Sequence, residues 1–190
     1  MSLAAHAPAT PAAEKLLCFS VAGQDFGAPI RALKETLPER PVTRLFHVPQ
    51  FVAGLINLRG EVVAVLDLAR LLGLGDGRRG GDGGGAILIL RPTDAVGPGP
   101  TGRSGSGGAR AAGRAAAGLL VDRLLGVEDV APASVQPVPP TLAAEPASYL
   151  RGLATVGVPP RPLLLLDPAR VLDDERLRQY RRQPLRGSAP

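Results

Sequence analysis

Asp67 and Asp167 stand in matching surroundings, Val65-Leu-Asp-Leu-Ala-Arg-Leu-Leu72 and Leu165-Leu-Asp-Pro-Ala-Arg-Val-Leu172. A matched pair of carboxylates is what general acid–base chemistry would need. In both places, however, the aspartate closes an aliphatic run and opens one helical turn, which is the position of an N-cap whose carboxylate accepts backbone N–H bonds. Pro168 fits the first helical position, where its missing N–H is not needed. Both aspartates are therefore read as caps. His6 lies in the N-terminal segment and His47 in a loop, so the two do not form a pair at metal-ligand spacing. The single cysteine, Cys18, excludes an internal disulfide and is too little for a cysteine-based metal site. Within Leu16-Leu-Cys-Phe-Ser-Val21 it reads as a small buried hydrophobe. The glycines of residues 75–85 have the composition of a phosphate loop, but no Lys-Ser/Thr follows and no helix start is near. With no Gly-x-Ser-x-Gly either, catalytic, metal and cofactor-binding residues are all expected to be none, and the chain is not expected to be an enzyme.

What remains is recognition. Residues 54–73, Gly-Leu-Ile-Asn-Leu-Arg-Gly-Glu-Val-Val-Ala-Val-Leu-Asp-Leu-Ala-Arg-Leu-Leu-Gly, hold two apolar runs, Leu55–Leu58 and Val62–Leu66, on either side of Arg59-Gly60-Glu61. Aliphatic runs flanking a glycine-bearing break predict a hairpin, and Gly60 can take the positive φ of its turn. A helical turn then follows Asp67, and Gly73 sits where a left-handed C-terminal residue is expected. The tip of this hairpin carries one charged residue on a rigid turn, Arg59. On position alone the simpler reading is a solvated arginine paired to Glu61, worth about 0–1 kcal/mol. The other reading is a contact residue for a protein partner.

The elements around the hairpin are short strands. Leu16–Val21 and Asp25–Ile30 form a second hairpin candidate with Gly23 at its turn, and Pro29 should sit at a strand end. Residues Arg31–Leu37 are ambiguous between a helical turn and a strand. The segment from His47 reads as a loop with one helical turn leading into the central hairpin. Ala86–Leu90 is a buried strand, Ala117–Val130 a strand bent or bulged at Gly126, and Tyr149–Val156 and Arg161–Asp167 are the last two. Upstream of the two aspartate motifs, Gly54-Leu55 and Gly152-Leu153 each open a strand. This repetition of strand, connection, strand and helical turn, with no long helix, predicts an all-β chain of two similar small barrels.

Length and composition agree with that picture. The 190 residues suit one domain or two small packed ones at about 150 residues per domain. Aromatic content of 3% without Trp makes the core aliphatic. Residues 1–13 and 91–116 lack an apolar period and are expected to be a disordered tail and a disordered insertion, with a charged tail at 173–190. The net charge of +5 invites a nucleic-acid reading. Residues 75–117 carry a net +3 and residues 173–190 a net +2, so the whole excess sits on expected loop and tail. Stacking aromatics on the strands are also missing, and no nucleic-acid partner is expected. No apolar run reaches the roughly 18 residues of a membrane span, and Met1–Ala13 shows no signal peptide. A cytoplasmic location without membrane insertion is the expectation.

Five stretches in order also resemble one known family, that of the bacterial chemotaxis coupling protein CheW. They are the hairpin Leu17–Ile30 with Gly23-Gln24 at its turn, Leu33-Lys34-Glu35, Gly54–Gly60, Gly118-Leu-Leu-Val-Asp122 and Tyr149-Leu-Arg-Gly152. The resemblance spans nearly all of residues 16–172. It implies a domain over residues 14–172 made of two intertwined five-stranded, SH3-like β-barrels, with a short helical turn running into a strand at Leu33–Leu37. It implies a non-enzymatic adaptor between the cytoplasmic tip of methyl-accepting chemoreceptors and the regulatory domain of a CheA-type histidine kinase. By position, Glu35, Gly54, Asn57, Arg59 and Gly60 would belong to the partner-facing surface, and Val121, Asp122 and Leu125 would lie near partner contacts on the second barrel. Ala64 stands where the family commonly has Pro, Pro168 replaces an aliphatic residue, and the 91–116 insertion is long. These departures keep open a diverged adaptor of a chemosensory system controlling pili or surface motility.

Overall fold

The computed structural model describes residues 12–75, 84–91, 116–140 and 147–177. Both expected unstructured stretches, 1–13 and 91–116, fall almost wholly outside these, as does most of the tail beyond 172. Ten strands are present among the described residues, and they run in two successive halves. The first half is β1 (Glu14–Val21), β2 (Gln24–Pro29), β3 (Leu33–Pro38), β4 (Val52–Leu58), β5 (Glu61–Asp67) and helix α1 (Leu68–Leu71). The second is β6 (Ala86–Leu90), β7 (Ala117–Val121), β8 (Arg123–Val130), β9 (Leu150–Val156), β10 (Arg161–Leu166) and helix α2 (Pro168–Leu172).

The halves do not form one barrel each. One sheet has the order β8-β1-β2-β10-β9 and the other β3-β6-β7-β5-β4. Each half thus gives its first hairpin to one barrel and its remaining three strands to the other, crossing over at β2–β3 and at β7–β8. This is the intertwining that the family resemblance implied. The equivalence is detailed. β10 runs parallel to β2 with Leu165 opposite Gly27, and β5 runs parallel to β7 with Val65 opposite Gly118. A methyl group on Gly27 would come within 2.8 Å of Leu163, and one on Gly118 within 2.8 Å of Ile87. Both glycines are set by the same close approach of side chains across the barrel.

Alternation along the strands divides the apolar residues among three cores. Leu16 and Cys18 face the interior of one barrel with Ala154, Leu163 and Leu165. Ile87 and Ile89 face the other interior with Ile56, Val63 and Val65. The opposite faces of the same strands, including Phe19, Val21, Leu88 and Leu90, meet in a larger central core with both helices. This explains why Ala86–Leu90 is apolar on both faces. Phe19 and Phe26 stack there with centroids 6.1 Å apart, within the range for an offset aromatic pair.

Two sequence readings change. Ala117–Val130 is not one strand, because the chain leaves one sheet and enters the other at Asp122. The irregularity at Gly126 is real as well. Cys18 pairs with Gly126 and Phe19 with Leu124, so Leu125 is the extra residue of a bulge. The segment before β4 holds no helical turn. It is a bend with His47 at φ 59 and a single Val52-to-Pro49 turn bond. The segment 30–38 follows the expectation, with a 3-10 turn over Ile30–Ala32 running into β3.

Candidate functional site

Two residues connect β4 to β5, and both have positive φ, 53° at Arg59 and 89° at Gly60. A two-residue hairpin with positive φ at both positions matches the twist of its flanking strands, but it favours Asn, Asp or Gly at the first position. Arginine there sits in the left-handed region at roughly 1–2 kcal/mol. The turn is held by Asn57, whose Oδ1 accepts the Gly60 N–H at 2.9 Å. The Arg59 side chain is 79% exposed and donates to Glu35 Oε2 at 3.2 Å. Its partner is therefore Glu35 on β3, not Glu61. Glu61 instead accepts from Lys34 at 3.3 Å. Two ion pairs join β3 to the tip, and Val62, next to Glu61 in the chain, is 60% exposed.

What brings β3 to the tip is the closure of the barrel. Thr43, on the chain leaving β3, exchanges two 2.8 Å backbone hydrogen bonds with Leu55 of β4. Gly54 allows this approach. Its φ is 151°, and a methyl group on it would come within 2.4 Å of the Thr43 carbonyl oxygen. Gly152 has the same place in the second half, where Gln136 bridges to Leu153. Gly54 is buried, so its contribution to any surface is through the backbone.

The other three residues singled out by resemblance lie away from the tip and not all on the second barrel. Val121 ends β7, in the same sheet as the Arg59 hairpin, and only Leu125, on β8, belongs to the other sheet. Val121 is buried in the central core, which leaves it no side-chain surface for a partner. Asp122 Oδ2 accepts the Ala22 N–H at 2.7 Å, and its own N–H donates to Ser20 at 3.0 Å. It thereby clamps the β1–β2 turn, where Ala22 has φ 50. Leu125 is half-buried at the bulge against the interior of its barrel. Among the described residues, no hydrogen bond or ion pair joins this group to the Arg59 tip.

Asp67 and Asp167 both act as caps. Asp67 accepts from Arg70 N at 3.1 Å, and Asp167 from Ala169 N at 3.0 Å. Cys18 is fully buried, and burial, followed by the charge of Glu128, pushes its thiol up to about 11. At neutral pH it is a thiol and not a nucleophile. No group of three His, Cys, Asp or Glu able to hold a metal occurs among the described residues.

Sequence reasoning missed three features. An open cleft of about 710 Å³ runs along the β3–β4 segment, lined by Arg40, Arg44 and Arg70 beside Val42, Leu45 and Val52. Arg161 bridges Asp25 on β2 at 2.7 Å and Glu128 on β8 at 3.4 Å. Beyond α2, Asp174, Arg176 and Leu177 fold back onto Tyr149 and Phe51. The segment from Asp173 reads in the sequence as a charged tail, and nothing local points to where it docks.

The sequence model of the CheW-like domain matches residues 15–176. A probable chemotaxis protein CheW of Rhizobium etli is 28% identical over 142 residues, covering 75% of this chain and 77% of that protein. Protein FrzA of Myxococcus xanthus is 29% identical over 169 residues, covering 89% and 91%. Among solved structures, the scaffolding protein TtCheW from Thermoanaerobacter tengcongensis superposes with a TM-score of 0.64 at 24% identity. It covers 85% of this chain and 89% of that one, a likeness of fold. The two-barrel architecture and the match over residues 15–176 together place the chain in the CheW-like domain family, whose members are non-enzymatic scaffold proteins.

Proposed function

We propose that this protein is an adaptor that couples the cytoplasmic tip of a chemoreceptor to the regulatory domain of a CheA-type histidine kinase. The observation that carries the reading is Arg59. A hairpin turn that favours Asn, Asp or Gly holds an arginine in the left-handed region and presents it to solvent. Local backbone strain retained at an exposed side chain is best accounted for by what that side chain touches. Glu35, Asn57 and Gly60 hold the guanidinium in place, and Gly54 closes the barrel beneath it. The second barrel carries the other partner surface, near Asp122 and Leu125. The rigid central core then relays the receptor's state to the kinase without bond making or breaking. The protein works in the cytoplasm, reaching the membrane only through its partners. No helix of the described residues is long and apolar enough to cross a bilayer.

The test is reconstitution of receptor fragment, kinase and this protein, with kinase autophosphorylation as readout. Stimulation that needs all three components is the expected result. Failure to retain either partner in pull-down at about micromolar concentration, the range of a −8 kcal/mol interaction, overturns the proposal.

The near-full-length likeness to FrzA, a relative not named for chemotaxis, favours a second reading within the same chemistry. In it the adaptor serves a chemosensory system controlling pili or surface motility. Deleting the gene separates the two: loss of swimming bias supports the first, and loss of surface spreading with swimming intact supports the second.

A further inference from the structure

The two halves part company after their last helices. Helix α1 ends on Gly73 at φ 65, with Leu74 N bonding back to Ala69 O at 2.8 Å and Gly73 N to Arg70 O at 3.2 Å. This is the glycine-terminated Schellman arrangement, which turns the chain away. At the matching point the second half has Asp173, in the right-handed region at φ −90 and ψ 0. The chain therefore continues inward. Asp174 caps a further turn, its Oδ1 accepting Arg176 N at 2.7 Å and its carbonyl accepting Leu177 N at 3.0 Å. That turn delivers Leu177 into the central core, 8% exposed.

Arg176 then meets both halves at once. Its guanidinium lies over the Phe51 ring, 4.8 Å from the centroid, a cation–π distance. It also donates to the Tyr149 hydroxyl and, at 3.1 Å, to the Asp174 carboxylate. The Tyr149 hydroxyl in turn donates to Asp174. Phe51 and Tyr149 are equivalent residues. The carbonyl of Phe51 accepts from Asp67 N and that of Tyr149 from Asp167 N, each at 2.8 Å. Phe51 leads into β4 of one barrel, and Tyr149 into β9 of the other. A single side chain thus spans the pseudo-twofold relation between the barrels.

We propose that residues 174–177 form a latch that fastens the two barrels in one relative orientation, with the Arg176 guanidinium bridging Phe51 and Tyr149. Its hydrogen bonds form a closed circuit. Tyr149 stays protonated, so it can accept from Arg176 while donating to Asp174. The inference concerns the internal geometry of the protein and stands whatever its partners are.

The experiment places spin labels on Val62→Cys in one barrel and Val127→Cys in the other. Both positions are exposed, and Cys18 is buried and stays unlabelled. The distance distribution is measured by pulsed electron resonance, alongside amide hydrogen exchange. The intact chain should give one narrow distance. Arg176→Ala should broaden it and raise exchange about tenfold at residues 51–52 and 149–150, with β6 unchanged, a tenfold rise corresponding to about 1.4 kcal/mol of lost local stability. Tyr149→Phe, which keeps the ring in place and removes only the hydroxyl, should do the same more weakly. A narrow distance in both variants overturns the proposal. A uniform rise in exchange over all strands also overturns it, since the segment would then stabilise the fold generally and not the arrangement of the barrels.

Discussion

Replacing Arg59 should separate stability from binding, and the structure says by how much. Arg59→Asn removes one ion pair whose arginine is 79% exposed, a loss of about 0–1 kcal/mol. It also puts a residue that tolerates positive φ where arginine has φ 53, recovering up to about 1 kcal/mol. The two nearly cancel, so the melting temperature should move by less than about 4 °C at 2–4 °C per kcal/mol for a domain of this size. Arg59→Glu faces Glu35 with a like charge, which adds about 1 kcal/mol of repulsion at 4 Å in water. Its melting temperature should fall by no more than about 8 °C. Receptor binding should behave differently. If the guanidinium is a central contact, its removal is worth about 2 kcal/mol or more, or roughly 30-fold in Kd. Calorimetric melting and titration against a receptor-tip fragment give both numbers. Binding of Arg59→Asn within about threefold of the parent (under 1 kcal/mol) refutes the reasoning. So does a melting temperature lowered by well over 8 °C in either variant, which would make Arg59 structural.

Other outcomes follow from other contacts. Gly54→Ala drives a methyl group into the Thr43 carbonyl at a φ of 151°, and should lower stability by about 2–4 kcal/mol in denaturant titration. Asp122→Ala leaves the Ala22 amide without its acceptor and should lower it by about 1–2 kcal/mol. The Cys18 thiol, held near 11 chiefly by burial, should react with a disulfide reagent at pH 8 only after denaturation. Stability should also fall at both extremes of pH around the latch. Burial opposes ionisation of Asp174, but hydrogen bonds from Arg176 and Tyr149 outweigh it and hold its carboxyl below the ordinary range. Its contribution is complete above the unfolded value and is lost as pH falls through the folded one. Burial, and then the bond to Asp174, raise Tyr149 to about 12, so stability is lost again as pH climbs from about 10, the model-peptide value. Absorbance at the tyrosinate band in a Tyr180→Phe background checks the second arm, and a midpoint near 10 refutes it.

How far the sequence reached depended on the range of the interactions. The β4–β5 hairpin was readable because its signals are local, two aliphatic runs and a glycine within fifteen residues. The Asp67 and Asp167 caps were readable for the same reason. The break at Asp122 was hidden, because aliphatic residues flank the Asp122-Arg123 pair on both sides and a change of sheet is not distinguished from a polar step within one strand. Strand partners were hidden too. Alternation says which residues face inward, not which sheet a strand joins, and the intertwining came from family resemblance alone. At the candidate site the sequence exposed Arg59 but not Glu35 as its partner, since β3 reaches the tip only when the barrel closes through Thr43 and Leu55. The meeting of Phe51, Tyr149 and Arg176 depends on the packing of both halves and has no local trace.

The exchange of strands between halves also governs how the protein comes to exist. Its first hairpin, β1–β2, completes its sheet only with β8, β9 and β10, strands that leave the ribosome more than a hundred residues later. At about 5–20 residues per second, the apolar faces of Leu16, Cys18 and Phe19 wait on the order of ten seconds for their partners. The barrel of β3 to β7 has all its strands once Val121 is made, whereas the other waits for β10, so the nascent chain calls for shelter until its last strand arrives. A stretch that must wait so long gains from being short and closed by a tight turn, and Ala22-Gly23, clamped by Asp122 only once β7 is made, is such a turn.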